Sequence, residues 1–236
     1  MYENHFNTEG FRIDASIHTF SCPLAPLRLY TRMPNTKLIL CLREPVSRAV
    51  SHWKMIRDTE EDIQNNADWS NFSEAWSDSR LSDDSYYGKS MKKWLEHFPL
   101  EQFLIIDSQR MRRDPTNVLM EIENFLSVPS FEYNTSTSKH ANSALGRKTI
   151  TNLGRRVKFF FSLIPQTIKN PLVKILQKRD INIYAAPIIS KKSKGISIDA
   201  NHYSICAPML FQDLKNFSSL TNFNVAPWLE LLESGD

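Results

Sequence analysis

The fold is decided by residues 37–53, which read KLILCLREPVSRAVSHW. Residues 37–42 are an almost continuously apolar run, which indicates a strand buried on both faces, as in a parallel sheet. Arg43 ends this run, and Pro45 suits the first position of a helix. The stretch therefore predicts a buried strand that turns sharply into a helix, with one cation and several hydroxyls at the junction. Junctions of this kind bind phosphate.

The same alternation continues along the chain. Another apolar run at 103–106 predicts a second buried strand, and the Asp114-Pro115 pair predicts a helix with an acid at its cap and proline at its first position. The order strand–helix–strand–helix predicts an α/β domain with a parallel sheet flanked by helices. Further helices are predicted over 45–58, 83–98, 153–179 (two, split near Pro165) and 201–217, loops over 130–150 and 191–196, and a short strand ending at Asp14.

Size and composition narrow the class of protein. The 236 residues allow one domain with a real core, so we expect a single domain over 1–236. No apolar run approaches the roughly 18–20 residues that span a bilayer, and the first residues are polar without a secretory segment. The three cysteines, odd in number and without a CxxC pair, argue against a disulfide framework or a zinc site. We expect a cytoplasmic protein; the family resemblance described below implies the Golgi lumen instead if the chain is a fragment of an animal-type member.

The charge is spread unevenly. The net charge is only +3, yet residues 139–194 hold thirteen Lys and Arg and a single acid, Asp180. This basic segment attracts polyanions or an anionic membrane surface. Two interpretations stay open: surface helices whose apolar faces cover the sheet, or a groove for an anionic acceptor or membrane leaflet.

The order Arg43, Glu44-Pro45, Arg48-Ala49, Ser51 and Trp53 resembles the second cofactor-binding motif of sulfotransferases that use 3′-phosphoadenosine 5′-phosphosulfate (PAPS). In that family the first arginine and the serine hold the 3′-phosphate of the cofactor, which implies this role for Arg43 and Ser51. A guanidinium can grip a phosphate with two hydrogen bonds. The helix start should add amide donors and a favourable dipole. Arg48 could touch the phosphate or pair with Glu44 one turn earlier.

Later segments extend the resemblance. Tyr87 with Trp94 and Phe98-Pro99 looks like the family's helix before its next strand, and Asp114-Pro115 is similar to the start of the following helix. The stretch Lys192-Ser193-Lys194-Gly195 is similar to a loop of the heparan-type branch that closes over the cofactor, although Ile196 stands where that branch has arginine. The resemblance covers roughly 11–128 and 190–229. It implies a P-loop-kinase-like architecture with Lys194 and Gly195 among the cofactor-binding residues.

One family feature is missing from the sequence. The Gly-rich loop that binds the 5′-phosphosulfate should precede the Arg43 motif, yet the six glycines form no GxxxxGK[ST] pattern. We therefore expect an N-terminally incomplete sulfotransferase architecture. Either the chain is shortened at its start, or the loop has been lost.

The resemblance also supplies a candidate base. Transfer needs a group that accepts the proton of the acceptor, and Asp14, before Ala15-Ser16, stands where the carbohydrate branch has a catalytic glutamate. The competing interpretation of Asp14 is a strand-end or capping acid. His18 could face the acceptor, and His52 follows the key serine.

The resemblance thus predicts an enzyme that moves a sulfuryl group from PAPS, a small-molecule nucleotide donor, to a hydroxyl or amine of a carbohydrate or other anionic acceptor. It requires no metal, and no nucleic-acid partner is expected. Two alternatives remain: an inactive remnant that binds nucleotide, and a basic module for membranes or polyanions led by 139–194.

Overall fold

A computed structural model describes residues 13–16, 18–59, 61–134, 148–151, 153–154, 156, 190–192 and 197–235. Strands β1 (Leu38–Leu42) and β2 (Phe103–Asp107) pair in parallel, with Leu38 opposite Phe103 and Leu42 opposite Asp107. Parallel neighbours need a long crossover connection, which the helices between them provide. The predicted α/β fold with a parallel sheet flanked by helices is confirmed.

The crossover begins with α2 (Pro45–Thr59), preceded in the chain by α1 (Ala25–Arg32). The helix predicted over 83–98 is shorter in the structure than in the prediction. Tyr86, with a ψ of 78°, lies outside the helical region and separates a 3-10 turn from the start of the α-helix. The remaining elements of the crossover are α3 (Glu61–Gln64), α4 (Phe72–Ser77), α5 (Ser79–Ser82), the 3-10 turn Asp83–Ser85, α6 (Tyr87–Leu95) and a second 3-10 turn, Leu100–Gln102.

Four helices whose bounds lie within the described residues follow β2. Asp114 caps the second of them as predicted, accepting a hydrogen bond from the backbone N–H of Asn117. The predicted helix over 201–217 extends further and ends where Asn222 adopts a left-handed conformation (φ 58°). Their bounds are α7 (Ser108–Arg113), α8 (Pro115–Leu126), α9 (Ala200–Thr221) and α10 (Ala226–Glu233).

Helix α9 forms the centre of the core and packs against α2, α4, α6 and α10. Leu210, Leu214 and Phe217 on this helix are completely buried. Gly88 allows the close approach of α6, since a Cβ at this position would lie 2.3 Å from the backbone oxygen of Asp213. The carboxylate of Asp213 also accepts the N–H groups of Gly88 and Lys89, both at 2.8 Å. Helix α9 thus caps the start of α6.

Three predictions from the sequence need correction. Residues 13–16 form no regular structure, so the strand predicted to end at Asp14 is not present there; Asp14 Oδ1 instead accepts the N–H of Ser16 at 2.8 Å, a local bond that competes with strand pairing. The loops predicted over 130–150 and 191–196 each contain a strand: β3 (Lys148–Ile150) pairs antiparallel with β4 (Ser190–Lys192). The β-branched Thr149 and Ile150 favour this extended conformation.

Most of the basic segment 139–194 lies outside the described residues, as does most of 153–179, for which two helices were predicted. The single domain over 1–236 therefore stays a prediction.

Candidate functional site

Arg43 occupies the residue directly after β1, at the carboxyl end of the sheet, and is half-buried. Ligands of open α/β sheets bind at this end of the strands. The backbone carbonyl of Arg43 accepts a hydrogen bond from the hydroxyl of Tyr87 at 2.7 Å. Tyr87 is 2% exposed, and its burial raises the pKa of the phenol, so the hydroxyl stays a donor. The junction backbone is therefore fixed from the core.

Ser51 lies on α2, half-buried, about two helical turns beyond Arg43. Both residues belong to one strand–turn–helix unit, whose inner face buries Val46, Ala49, Val50 and Trp53. Because that face is buried, the unit is anchored as a rigid support for both side chains. The role of the two side chains in phosphate binding stays a prediction.

Glu44 occupies the start of α2. Its carboxylate accepts the N–H of Val46 at 2.8 Å and that of Ser47 at 2.6 Å, and the residue is 1% exposed. The N–H of Arg48 bonds to the backbone oxygen of Glu44. The expectation that the helix start offers free amide donors to a ligand is therefore wrong, because a side chain within the motif already caps them.

Arg48 joins α2 to the α5 region. Its Nη2 donates to the carbonyl of Leu81 at 2.6 Å, and its Nε donates to Ser85 Oγ at 2.9 Å. Its ion pair is with Asp84, at 3.5 Å, and not with Glu44 as one alternative held. Burial lowers the pKa of Arg48, and the nearby Arg43 cation acts in the same direction. Two positive charges therefore lie near the carboxyl end of β1.

The Asp84 side chain contacts His18, Ser21 and Arg48. We call these four residues the Asp84 cluster. His18 Nδ1 lies 3.1 Å from Asp84 Oδ2, and Ser21 Oγ donates to Asp84 Oδ1. Sequence reasoning missed Asp84, since an acid before a helix looks like an ordinary cap and its partners lie far away in the chain, 66 residues for His18, 63 for Ser21 and 36 for Arg48. His52 lies beside the cluster, its Nδ1 3.4 Å from Arg48 Nη1.

The other predicted site residues are less well placed. Asp14 is exposed, and its Oδ1 accepts the N–H of Ser16; its role as a base stays a prediction. Lys194 and Gly195 lie outside the described residues. Strand β4 ends two residues before Lys194 and pairs with β3, which contacts α2.

The described residues were compared with two further kinds of site, a metal centre and a membrane span, and contain neither. Among them, no group of three or more His, Cys, Asp or Glu has an arrangement that could hold a metal ion. In the same part of the chain, no helix has the length and apolar character needed to span a membrane.

Residues 7–149, more than half of the chain, match the family model described as the sulfotransferase domain. The chain belongs to the sulfotransferase family. The resemblance noted in the motif around Arg43 is thereby confirmed at the level of the family.

Several relatives of this sulfotransferase-domain protein have names that refer to heparan sulfate. Heparan sulfate glucosamine 3-O-sulfotransferase 5 of Homo sapiens is 29% identical over 126 residues, covering 50% of this chain and 36% of the relative. Bifunctional heparan sulfate N-deacetylase/N-sulfotransferase 1 of Caenorhabditis elegans is 26% identical over 176 residues, covering 70% and 21%. The chain therefore spans about a third or less of the length of these curated relatives.

A solved structure supports the fold. The sulfotransferase from Alicyclobacillus acidocaldarius superimposes with a TM-score of 0.51 at 16% identity, covering 90% of this chain and 65% of that one. At this identity the likeness bears on the fold alone.

Proposed function

We propose that this sulfotransferase-domain protein transfers a sulfuryl group from PAPS to a carbohydrate hydroxyl or amine and releases adenosine 3′,5′-bisphosphate. The observation that carries the proposal is the match of residues 7–149 to the sulfotransferase domain, within which the Arg43–Ser51 unit lies at the carboxyl end of the parallel sheet. In sulfuryl transfer a nucleophile attacks an electron-poor centre in line with the leaving group. The protein therefore acts mainly by positioning and charge stabilisation, as in phosphoryl transfer.

Arg43 and Ser51 are the proposed ligands of the 3′-phosphate. A guanidinium supplies charge and a two-pronged donor, and a hydroxyl supplies one further hydrogen bond. Because Glu44 occupies the amides of Val46 and Ser47, these two side chains have to supply the hydrogen bonds that free amides would otherwise give. Lys194 and Gly195 are proposed to close over the cofactor, on the strength of their resemblance to the heparan-type loop.

The acceptor is proposed to be a sulfated or acidic polysaccharide. Two observations support a carbohydrate: relatives named for heparan sulfate, and the thirteen basic residues of 139–194, which would attract a polyanion. For the proton acceptor, the resemblance supplies Asp14 as a candidate.

A second candidate function is nucleotide binding without transfer. The sequence contains no GxxxxGK[ST] loop for the 5′-phosphosulfate. A chain that keeps the 3′-phosphate ligands and lacks that loop would bind adenosine 3′,5′-bisphosphate and leave sulfate untransferred.

One pair of measurements separates the two functions. The chain is incubated with sulfur-35-labelled PAPS and heparan sulfate oligosaccharides, and binding of adenosine 3′,5′-bisphosphate is measured by calorimetry. Label in the oligosaccharide supports the enzyme. Nucleotide binding with no labelled product supports the second function, and the absence of both contradicts the two proposals together.

A further inference from the structure

We propose that His18, oriented by Asp84, is the group that accepts the proton of the sulfate acceptor. The inference deepens the proposed sulfotransferase function and rests on it. It assigns the base to the Asp84 cluster instead of to Asp14.

Contacts from two other segments anchor Asp84. Its side chain is 15% exposed and sits between partners from two segments. Ser21 Oγ donates to Oδ1, while His18 Nδ1 and Arg48 Nη1 approach Oδ2 at 3.1 and 3.5 Å. Arg48 is itself held by the carbonyl of Leu81 and by Ser85 Oγ. The carboxylate is therefore fixed before any ligand binds.

The contact with Asp84 sets the tautomer of the His18 imidazole. A carboxylate accepts hydrogen bonds only, so the short contact with Asp84 requires the proton of neutral His18 to reside on Nδ1. Nε2 then keeps its lone pair. The His18 side chain is 69% exposed, which leaves Nε2 open to an incoming acceptor. In other group-transfer enzymes, too, a histidine activates the nucleophile and a buried carboxylate orients that histidine.

His18 lies near the proposed nucleotide ligands. Its ring centroid lies 6.0 Å from that of His52, the residue after Ser51. The next part of the same segment is also anchored to the site, since the carbonyl of Phe20 accepts the indole N–H of Trp94 and the ring of Phe20 packs on Tyr87. Tyr87 in turn holds the carbonyl of Arg43. These contacts link the 18–21 segment to the carboxyl end of β1.

The chemistry also favours an imidazole. Imidazole is the side chain most often used for general acid–base catalysis, because it can both accept and donate a proton near neutral pH. Within the described part of the chain, His18 contacts Asp84 and lies near His52, and Arg48 approaches the same carboxylate. Burial and the Arg48 cation lower the pKa of His52, which favours its neutral form beside His18.

In the proposed transfer, each bond that forms is matched by a bond that breaks. The acceptor oxygen attacks the sulfur of PAPS while its proton passes to Nε2 of His18. The bond from sulfur to the bridging oxygen of the 5′-phosphate breaks, and its electron pair stays on that oxygen. The products are the sulfate ester, adenosine 3′,5′-bisphosphate and protonated His18, which returns the proton to water.

The test compares four variants of the full chain: His18→Gln, Asp84→Asn, Asp14→Asn and, as a matched control, the distant His97→Gln. His18→Gln is expected to lower kcat by a factor of about 100 or more, and to remove the acidic limb of the kcat/KM profile. The affinity for adenosine 3′,5′-bisphosphate should stay within about twofold, because His18 does not bind the nucleotide. The control should keep the wild-type rate.

A second measurement does not depend on turnover. Nitrogen-15 NMR of the histidine rings should show the Nδ1–H tautomer for His18, and Asp84→Asn should convert it to a mixture of both tautomers. An Nε2–H tautomer in the wild-type chain overturns the proposal. So does a His18→Gln variant that keeps its rate and acidic limb while Asp14→Asn loses both. A wild-type chain that transfers no sulfate overturns the proposed function itself.

Discussion

The hydroxyl of Tyr87 donates a hydrogen bond to the backbone carbonyl of Arg43 across 2.7 Å, joining residues 44 positions apart in the chain. This contact fixes the turn between β1 and α2 from inside the core. It explains why Tyr87, a residue of the hydrophobic core, still bears on the proposed site.

Replacing Tyr87 with phenylalanine tests this relationship. The ring and its packing on Phe20, Phe217 and Trp228 are kept, while the buried carbonyl of Arg43 loses its partner. We expect the free energy of unfolding to fall by about 1–2 kcal/mol, and the affinity for adenosine 3′,5′-bisphosphate to fall several-fold because the Arg43 backbone is less restrained. Denaturant unfolding and calorimetry measure the two effects. Tyr30→Phe, at an exposed position, is the control. Equal effects in both variants would contradict the role given to the Tyr87 hydroxyl.

Glu44→Gln tests the cap of α2. In glutamine an NH2 group replaces one of the two carboxylate oxygens, and this donor cannot accept the N–H of Val46 or Ser47 that faces it. We expect a loss of about 1–2 kcal/mol in the free energy of unfolding, measured by urea denaturation. Glu96→Gln, at an exposed position, should change stability by less than about 0.5 kcal/mol. A Glu44→Gln chain as stable as the wild type would show that the cap contributes nothing.

Gly88→Ala tests the close approach of α6 and α9. The added methyl group would lie 2.3 Å from the Asp213 carbonyl and 3.1 Å from the backbone nitrogen of Phe217, so the helices have to separate. Although alanine favours helices, we expect a net destabilisation of about 1–3 kcal/mol. The thermal midpoint should fall accordingly. Lys92→Ala, on the exposed side of α6, serves as the comparison, and a midpoint for Gly88→Ala at or above that of Lys92→Ala would refute the close packing.

His52 predicts a pH dependence of stability. Burial and Arg48 lower its pKa in the folded chain below the ordinary 6.5, so the unfolded chain binds more protons in the interval just below 6.5. The contribution of this group to stability is therefore present above pH 6.5 and is lost as the pH falls through the folded pKa. Urea denaturation between pH 5 and 7 should show a smaller gain with pH in His52→Asn than in the wild type. A steeper increase of stability with pH in the variant than in the wild type would contradict this prediction.

The elements that the sequence predicted well are those whose signal is local. Strand β1, the proline at the start of α2 and the Asp114 cap each follow from residues adjacent in the chain. The use of Glu44 as a cap could have been inferred, since a carboxylate three residues before an N–H is a known capping arrangement. It was missed because the phosphate motif suggested free amides.

The parts that the sequence did not predict depend on contacts between distant segments. Arg48 bonds to Leu81 and Ser85, and Asp84 draws His18 and Ser21 to the same site. Nothing in the spacing of one segment indicates such partners. The strand pair β3 and β4 escaped notice for the same reason, because three-residue strands 40 positions apart carry no recognisable period.

The central claim is that the Arg43 guanidinium binds the 3′-phosphate of the nucleotide, and calorimetry with two ligands tests it directly. Arg43→Ala should weaken binding of adenosine 3′,5′-bisphosphate by about 2 kcal/mol, roughly 30-fold, and should leave the weaker binding of adenosine 5′-monophosphate unchanged. Arg28→Ala, an exposed arginine of α1, should change neither. An equal loss for both nucleotides, or no loss for either, would contradict the account.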